Sequence, residues 1–165
     1  MIAVAGWKNS GKTTLVCRLI EHFRAQGLRV STIKHSHHDV AFGANTDSER
    51  HRAAGAAQVT LVTPHRLALF EDFVESEAPH LDDIAARLDA DLIIVEGFKS
   101  AAIPKIEVRR REAAGHAPLS NDDANVIAIA ADFDVGAAKL PVFSLDDIAG
   151  IAAVIATRLG PLGKP

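Results

Sequence analysis

The sequence predicts an α/β fold: a mostly parallel sheet with helices on both faces, plus an antiparallel hairpin. Three observations lead there. Short apolar runs of strand length (2–5, 91–95, 125–131) alternate with segments whose apolar residues recur every three or four positions. Runs that are apolar throughout, apart from an opening Asp91 or Asn125, suit strands buried on both faces, as crossover helices produce in parallel sheets. One pair of runs, 57–63 and 66–70, is joined only by Pro64-His65, which is too short for a crossover and therefore implies a hairpin.

The elements follow in order. Residues 2–5 (IAVA) read as a buried strand, 6–11 as a loop, and 12–26 as a helix with Leu15, Val16, Leu19, Ile20 and Phe23 on its inner face and Cys17 beside them; Gly27 suits its C-terminal cap. Residues 28–34 alternate as a strand. The stretch 35–45 is polar, His-rich and irregular. A short helix is expected over 46–54, with Thr46 as N-cap, Glu49 at capping-box spacing and Gly55 as its stop. After the hairpin come a helix over 80–89, a strand over 91–95, an edge strand over 105–109, a loop over 110–121 and a buried strand over 125–131. A short strand at 141–143 and an amphipathic helix over 145–159, with Ile148, Ile151, Ile155 and Leu159 inward, close the chain before a frayed end. With 165 residues, 48% hydrophobic and 24% charged, one folded domain over 1–165 is expected.

Residues Gly6-Trp7-Lys8-Asn9-Ser10-Gly11-Lys12-Thr13 match G-x-x-x-x-G-K-[ST] at every fixed position, between a strand and a helix. From this composition an accidental match has odds on the order of 0.3%, so the motif carries weight. Glycines let the backbone approach phosphate oxygens, and successive N–H groups and the helix N-terminus form an anion nest. Lys12 would reach the β and γ phosphates, and the Thr13 hydroxyl would ligate Mg²⁺. The expected architecture is thus a P-loop NTPase-like three-layer fold, with ligands at the carboxyl ends of the strands. Lys8, inside the loop, reads either as solvent-exposed or as a residue reaching toward a partner subunit's nucleotide.

Glu96 ends the run Asp91-Leu-Ile-Ile-Val-Glu96-Gly97, where an acid beside the phosphate loop would hold Mg²⁺ or orient water. Asp91 opens that run and reads as a surface or capping residue. The cluster His35, His37, His38 and Asp39 suits a polar loop near the phosphates, or a zinc or nickel site. Asp47 reads equally as an outer acid for Mg²⁺ or as a helix-start acid. Arg109, Arg110 and Arg111 form a basic run that either contacts an anion or is simply solvated. No Asn-Lys-x-Asp is present to read guanine. Asp132 stands where a base-contacting acid could sit.

Net charge is −3, so no basic excess points to nucleic acid, and no apolar run is long enough to span a membrane. Aromatics are only 5%, with no Tyr, against base-stacking platforms. One cysteine, no disulfide and no recognisable leader suggest a cytoplasmic protein.

Taken together, GWKNSGKTTL (6–15), IKHSHHD (33–39), TDSERHRAAGA (46–56), DLIIVEGFKS (91–100), IPKIEV (103–108) and NVIAIAAD (125–132) resemble the MobB family of molybdopterin-guanine dinucleotide biosynthesis adapter proteins. The resemblance covers nearly the whole chain. It implies a homodimer that binds GTP with Mg²⁺, hydrolyses it weakly at most, and assists a MobA-type molybdenum cofactor guanylyltransferase. It places the nucleotide on Gly6, Trp7, Lys8, Asn9, Ser10, Gly11, Lys12, Thr13 and Thr14, and matches Glu96 to the family's Walker B-like acid and Asp47 to its Asp-Ser pair, so that Thr13, Glu96 and Asp47 are the expected metal residues. The family's Gly-Lys-Asp-Ser stretch reads Asn45-Thr46-Asp47-Ser48 here. Two alternatives are a small-molecule kinase, which would need arginines such as 109–111 over the phosphates, and a metallochaperone GTPase using the histidine segment. Dimerisation through an exposed strand, at 57–70 or at 105–109, is expected.

Overall fold

The computed structural model describes residues 1–36, 46–74, 77–113 and 115–163. These fall into two compact units, one formed by Met1–His35 with Leu81–Pro165 and the other by Ser36–His80.

The first unit holds a six-stranded sheet. Its strands are β1 (Ile2–Ala5), β2 (Val30–Lys34), β5 (Leu92–Glu96), β6 (Lys105–Arg109), β7 (Val126–Ala131) and β8 (Val142–Ser144), in the order β2-β5-β1-β6-β7-β8. Every pairing in it is parallel. β1 lies between β5 and β6, and all four of its residues are fully buried, which is why IAVA shows no polar alternation. Helices α1 (Lys12–Ala25) and α4 (Ile148–Leu159) cover one face. There Ile2, Val4, Leu92, Ile94, Ile106 and Val108 meet Leu15, Leu19, Phe23, Ile151 and Ile155. The short helix α3 (Leu81–Ala86) contributes to the other face, where Leu81 and Ile84 pack on Ala3, Ile33 and Val95. The three-layer expectation therefore holds.

The strand at 105–109 is not an edge. β6 pairs with β1 on one side and β7 on the other, and its first four residues are buried. The misreading has a clear cause: Lys105 and Glu107 gave the run polar alternation, yet both are buried, at 0% and 1% exposure. The Lys105 ammonium pairs with Asp123 at 2.8 Å and donates to the carbonyl oxygen of Ala101. The Glu107 carboxylate accepts the N–H groups of Leu119 (2.7 Å) and Ser120 (3.1 Å). Charged side chains thus fix the segment after β6 onto the sheet, and 105–109 is withdrawn as a surface for subunit pairing. Within that segment, expected to be a loop, two short 3₁₀ turns form at Arg111–Ala113 and Leu119–Asn121.

Other boundaries move by small amounts. Helix 145–159 begins at Ile148, because Asp147 takes the N-cap and accepts the N–H of Gly150 at 2.9 Å. Helix 80–89 shrinks to Leu81–Ala86, and Arg87 and Leu88 continue it only as i→i−3 turns. Cys17, expected near the buried face of α1, is exposed. Asp91 acts as a connector, accepting the N–H of Arg29 at 2.7 Å.

The second unit contains α2 (Asp47–Ala53) and the antiparallel hairpin β3 (Gln58–Val62) and β4 (Leu67–Glu71), a sheet of its own. Thr46 caps α2 as its sequence predicts, accepting the N–H of Glu49 at 3.3 Å. Arg52 bridges Glu49 (2.6 Å) and Asp72 (3.1 Å), tying α2 to the end of the hairpin. Leu61, Val62, Leu67 and Leu69 are exposed, as are Phe73 and Val74 beyond the hairpin.

The Lys105–Asp123 pair gives a stability test. Burial alone would raise the Asp123 carboxyl pKa, but the Lys105 ammonium and the two Asn125 N–H groups outweigh it and hold it below the ordinary 3.8. A depressed folded pKa means the stabilisation is present above the unfolded value and is lost as pH falls through the folded one. Asp123→Ala, which strands a buried ammonium, is expected to cost about 3 kcal/mol by denaturant unfolding. The wild type should lose its advantage over that variant only below about pH 4.

Candidate functional site

β1 delivers the chain to the carboxyl edge of the sheet, and Gly6 turns it out. Gly6 has φ 156°, and a Cβ there would stand 2.4 Å from the Val108 carbonyl oxygen and 2.7 Å from Ser10 Oγ, so no side chain fits. Gly11, at φ 92°, is the N-cap of α1. The helix has no capping side chain and no acid in its first turn, so its leading N–H groups and positive dipole end face the loop. Asn9 takes a left-handed φ of 63°, and Ser10 N–H donates to the Trp7 carbonyl at 3.2 Å. The loop is therefore curled into the shape of an anion nest.

Strand alternation explains what stands beside it. Leu92 and Ile94 face α1 and α4, so Glu96, two residues on, leans to the same side at the strand's carboxyl end, where α1 begins. Register does the rest: Glu96 lies opposite Val4 and opposite Lys34. The Thr13 hydroxyl donates to Glu96 Oε1 at 2.7 Å, and the Lys34 ammonium donates to the same oxygen at 2.9 Å and lies 3.5 Å from Thr13 Oγ1. Glu96 is 8% exposed. A hydroxyl and a carboxylate sharing one ammonium form an oxygen donor pair that draws a cation, the kind of set Mg²⁺ takes.

Lys12 folds back and donates to the Trp7 carbonyl at 2.7 Å. Burial lowers its pKa; Glu96 opposes that, while Lys99 and Lys34 add to it. Three ammonium groups thus share the field of one carboxylate, an arrangement that favours a multiply charged anion. Trp7 sits outside the motif's fixed positions but is tied down on three sides. Its ring stacks on His116 at 4.3 Å and 20°, Lys99 Nζ lies 3.7 Å from the ring centroid, and its indole N–H donates to the Ala117 carbonyl at 3.0 Å. A groove of about 330 Å³ runs beside it, lined by Trp7, Lys99, Ser100, Pro118, Leu119 and Asp122.

The fold brings Gly6, Trp7, Ser10, Gly11, Lys12, Thr13 and Glu96 together, as the sequence predicts. Lys8, Asn9 and Thr14 lie on the same loop and helix start, all exposed. His35 continues the β2–β5 ladder, donating its backbone N–H to the Glu96 carbonyl at 3.0 Å, and its ring meets Phe98 at 4.8 Å. His37, His38 and Asp39 lie outside the described residues. Asp47 belongs to the second unit, exposed and 3.6 Å from Arg50, where it serves as a first-turn acid of α2. Among the described residues no group of three His, Cys, Asp or Glu is placed to hold a metal. Asp132 accepts the Arg111 N–H at 2.9 Å and so helps order the turn after β6. Sequence reasoning missed Lys34, Lys99 and His116. Lys34 could have been found from the strand pairing alone; His116 is near in space and 109 residues away in the chain.

Comparison with known proteins now adds a family. The family model for molybdopterin guanine dinucleotide synthesis protein B, MobB, matches residues 1–132. The molybdopterin-guanine dinucleotide biosynthesis adapter protein of Escherichia coli K12 is 39% identical over 157 residues, covering 92% of this chain and 89% of that protein. Its namesake from Haemophilus influenzae is 39% identical, covering 81% and 75%. The crystal structure of Bacillus subtilis MobB superposes with a TM-score of 0.75 at 28% identity over 99% of this chain and 98% of that one. Another MobB crystal structure gives 0.73 at 29%, covering 96% and 97%.

Because Trp7 is the only tryptophan, its emission reports on the phosphate loop alone. His116→Ala uncovers one face of the indole, and its emission maximum is expected to move to longer wavelength. An unchanged spectrum would show that the stack is not kept in solution.

Proposed function

The chain belongs to the MobB family, and from that premise we propose that it is a GTP-binding adapter protein of molybdopterin-guanine dinucleotide biosynthesis. On this reading it assists a MobA-type molybdenum cofactor guanylyltransferase in the cytoplasm, as a homodimer. The observation that carries the nucleotide part is the shared Glu96 oxygen, with Thr13 and Lys34 on it, at the mouth of an uncapped helix. Among the described residues no helix is long and apolar enough to cross a membrane.

The residues divide the work as follows. Backbone N–H groups of Gly6 through Thr14 cradle the phosphates. Lys12 leaves the Trp7 carbonyl and supplies its charge to the terminal oxygens. Thr13 and Glu96 would hold Mg²⁺, which would neutralise phosphate charge, at the place where the Lys34 ammonium now sits. Lys99 adds a further positive charge at the rim. Glu96 would act as a ligand rather than a base, because the oxygen that Thr13 and Lys34 share is the one Mg²⁺ would take, and a metal-bound carboxylate oxygen accepts a proton poorly. The kinase alternative asks for several arginines closing over the phosphates, and of the run 109–111 two lean instead on Phe133, Arg109 at 5.4 Å and Arg111 at 5.9 Å, which leaves Arg110 alone toward the loop.

Calorimetric titration with Mg²⁺-GTP and Mg²⁺-ATP tests the reading. GTP binding with ATP silent is expected, together with slow turnover; ATP preference with rapid transfer to an acceptor would favour a kinase. Lys12→Ala is expected to remove nucleotide binding while leaving the melting temperature unchanged.

The hairpin is the proposed dimer contact. A two-stranded sheet is marginal alone, and Val62 and Leu67 stand 70% and 68% exposed at its turn end. Burying them against a second copy stabilises both. Val62→Lys with Leu67→Lys is expected to give a monomer in sedimentation at micromolar concentration, where the parent is dimeric.

A further inference from the structure

Three consecutive arginines follow the body of β6, and two of them are engaged with one aromatic ring. Arg109 and Arg111 set their guanidinium carbons 5.4 and 5.9 Å from the Phe133 centroid, a cation–π arrangement. Arg110, between them, follows Ile106 and Val108 to the face of the sheet that α1 covers. Its guanidinium lies on the phosphate loop: a Cβ at Gly11 would be 3.2 Å from Nε, 3.4 Å from Cζ and 3.5 Å from Nη2.

This guanidinium has donors to spare. Arg110 Nε is buried and has no hydrogen-bond partner among the described residues. The Asp132 carboxylate is 3.9 Å from it, close enough for attraction and too far for a hydrogen bond. Its other oxygen is taken by the Arg111 N–H. Ser10 Oγ, 1% exposed, is a second buried polar atom without a partner. Ser10 and Arg110 line the same cavity of about 10 Å³, large enough for one water. Unused donors at the flank of an anion nest are the feature that needs a ligand.

We propose that Arg110 is a phosphate-contacting residue of the nucleotide site, supplied from within the same chain at the end of β6. The proposal rests on the nucleotide reading above and adds a residue outside the phosphate-loop motif. The chemistry suits the role. A guanidinium offers a planar fork to two phosphate oxygens, whereas the Lys12 ammonium acts as a point charge. Asp132 keeps the fork near the loop without consuming its donors. The segment that carries Arg110 is itself fixed, at Glu107 through the N–H groups of Leu119 and Ser120, and at the loop through the Trp7–His116 stack.

The test is titration of the full chain and three variants with Mg²⁺-GTP: Arg110→Ala, Arg110→Lys and Arg110→Met. Methionine keeps the packing on Gly11 and removes the charge and donors. Arg110→Met and Arg110→Ala are each expected to bind about ten- to a hundredfold more weakly, as loss of a charged hydrogen bond implies, with Arg110→Lys between them and the parent. Melting temperatures without nucleotide should agree, which separates ligand contact from folding. Parent-like affinity in Arg110→Met overturns the proposal and leaves a packing role. A parent that binds neither GTP nor ATP instead overturns the nucleotide reading, and this inference with it.

Discussion

One carboxylate oxygen organises the carboxyl edge of the sheet. Glu96 Oε1 accepts from Thr13 at the start of α1 and from Lys34 at the end of β2, so three elements meet at one atom. The meeting is possible only because β5 lies between β1 and β2 with Glu96 opposite both Val4 and Lys34. A shift of one residue would turn Glu96 to the other face, away from α1. The apolar residues prevent that slip, since it would also carry Leu92 and Ile94 out of the main core. The geometry of the site is therefore enforced by hydrophobic burial some distance from it, and the charges add attraction to an arrangement the core already selects.

β6 solves a different problem with the opposite materials. One of its faces is apolar and joins the core through Ile106 and Val108. The other carries Lys105 and Glu107, fully desolvated. Burying charge is costly unless each group is satisfied, and here each is: an ion pair and a carbonyl for the lysine, two backbone N–H groups for the acid. What this secures is position. The segment 110–123 has few apolar residues of its own, so without these anchors it would have little reason to stay on the sheet. Held there, it brings His116 and the Ala117 carbonyl to Trp7, and Arg110 to Gly11.

This contrast explains what the sequence made legible. The phosphate loop, α1, the buried strands β1, β5 and β7 and the Thr46 cap all follow from local rules of periodicity, glycine and capping, and all appear within a residue or two of expectation. The position of Glu96 beside the loop followed from its place at the end of a buried run. β6 was misplaced because alternating charge usually signals solvent, and burial of Lys105 and Glu107 depends on partners 12 to 18 residues away that no local window contains. Cys17 was misassigned for a smaller reason, a helical face judged one position too wide. Lys34, Lys99 and His116 carry no motif. Their relation to the site exists only once strand order is known.

Trp7 shows how a widely shared loop becomes specific to its surroundings. The motif leaves position 7 unconstrained, and the backbone of a phosphate nest makes no use of a side chain there. Yet the indole is gripped by a stack, a cation and a hydrogen bond, from residues on two segments that flank β6. Stacking of this kind is worth about 1 kcal/mol beyond the area it covers, and the hydrogen bond to Ala117 is worth a similar amount. These contacts are too weak to set the fold and strong enough to set a loop conformation. They couple the curl of the nest to the segment carrying Arg110, so that neither can move far without disturbing the other. Lys99 takes part on both sides, lying over the indole while lowering the pKa of Lys12. On the proposed reading, an anion at the nest would draw on the same ammonium groups that hold Trp7 and Glu96 in place, and the cost of recruiting them would fall on contacts already shared across the edge of the sheet.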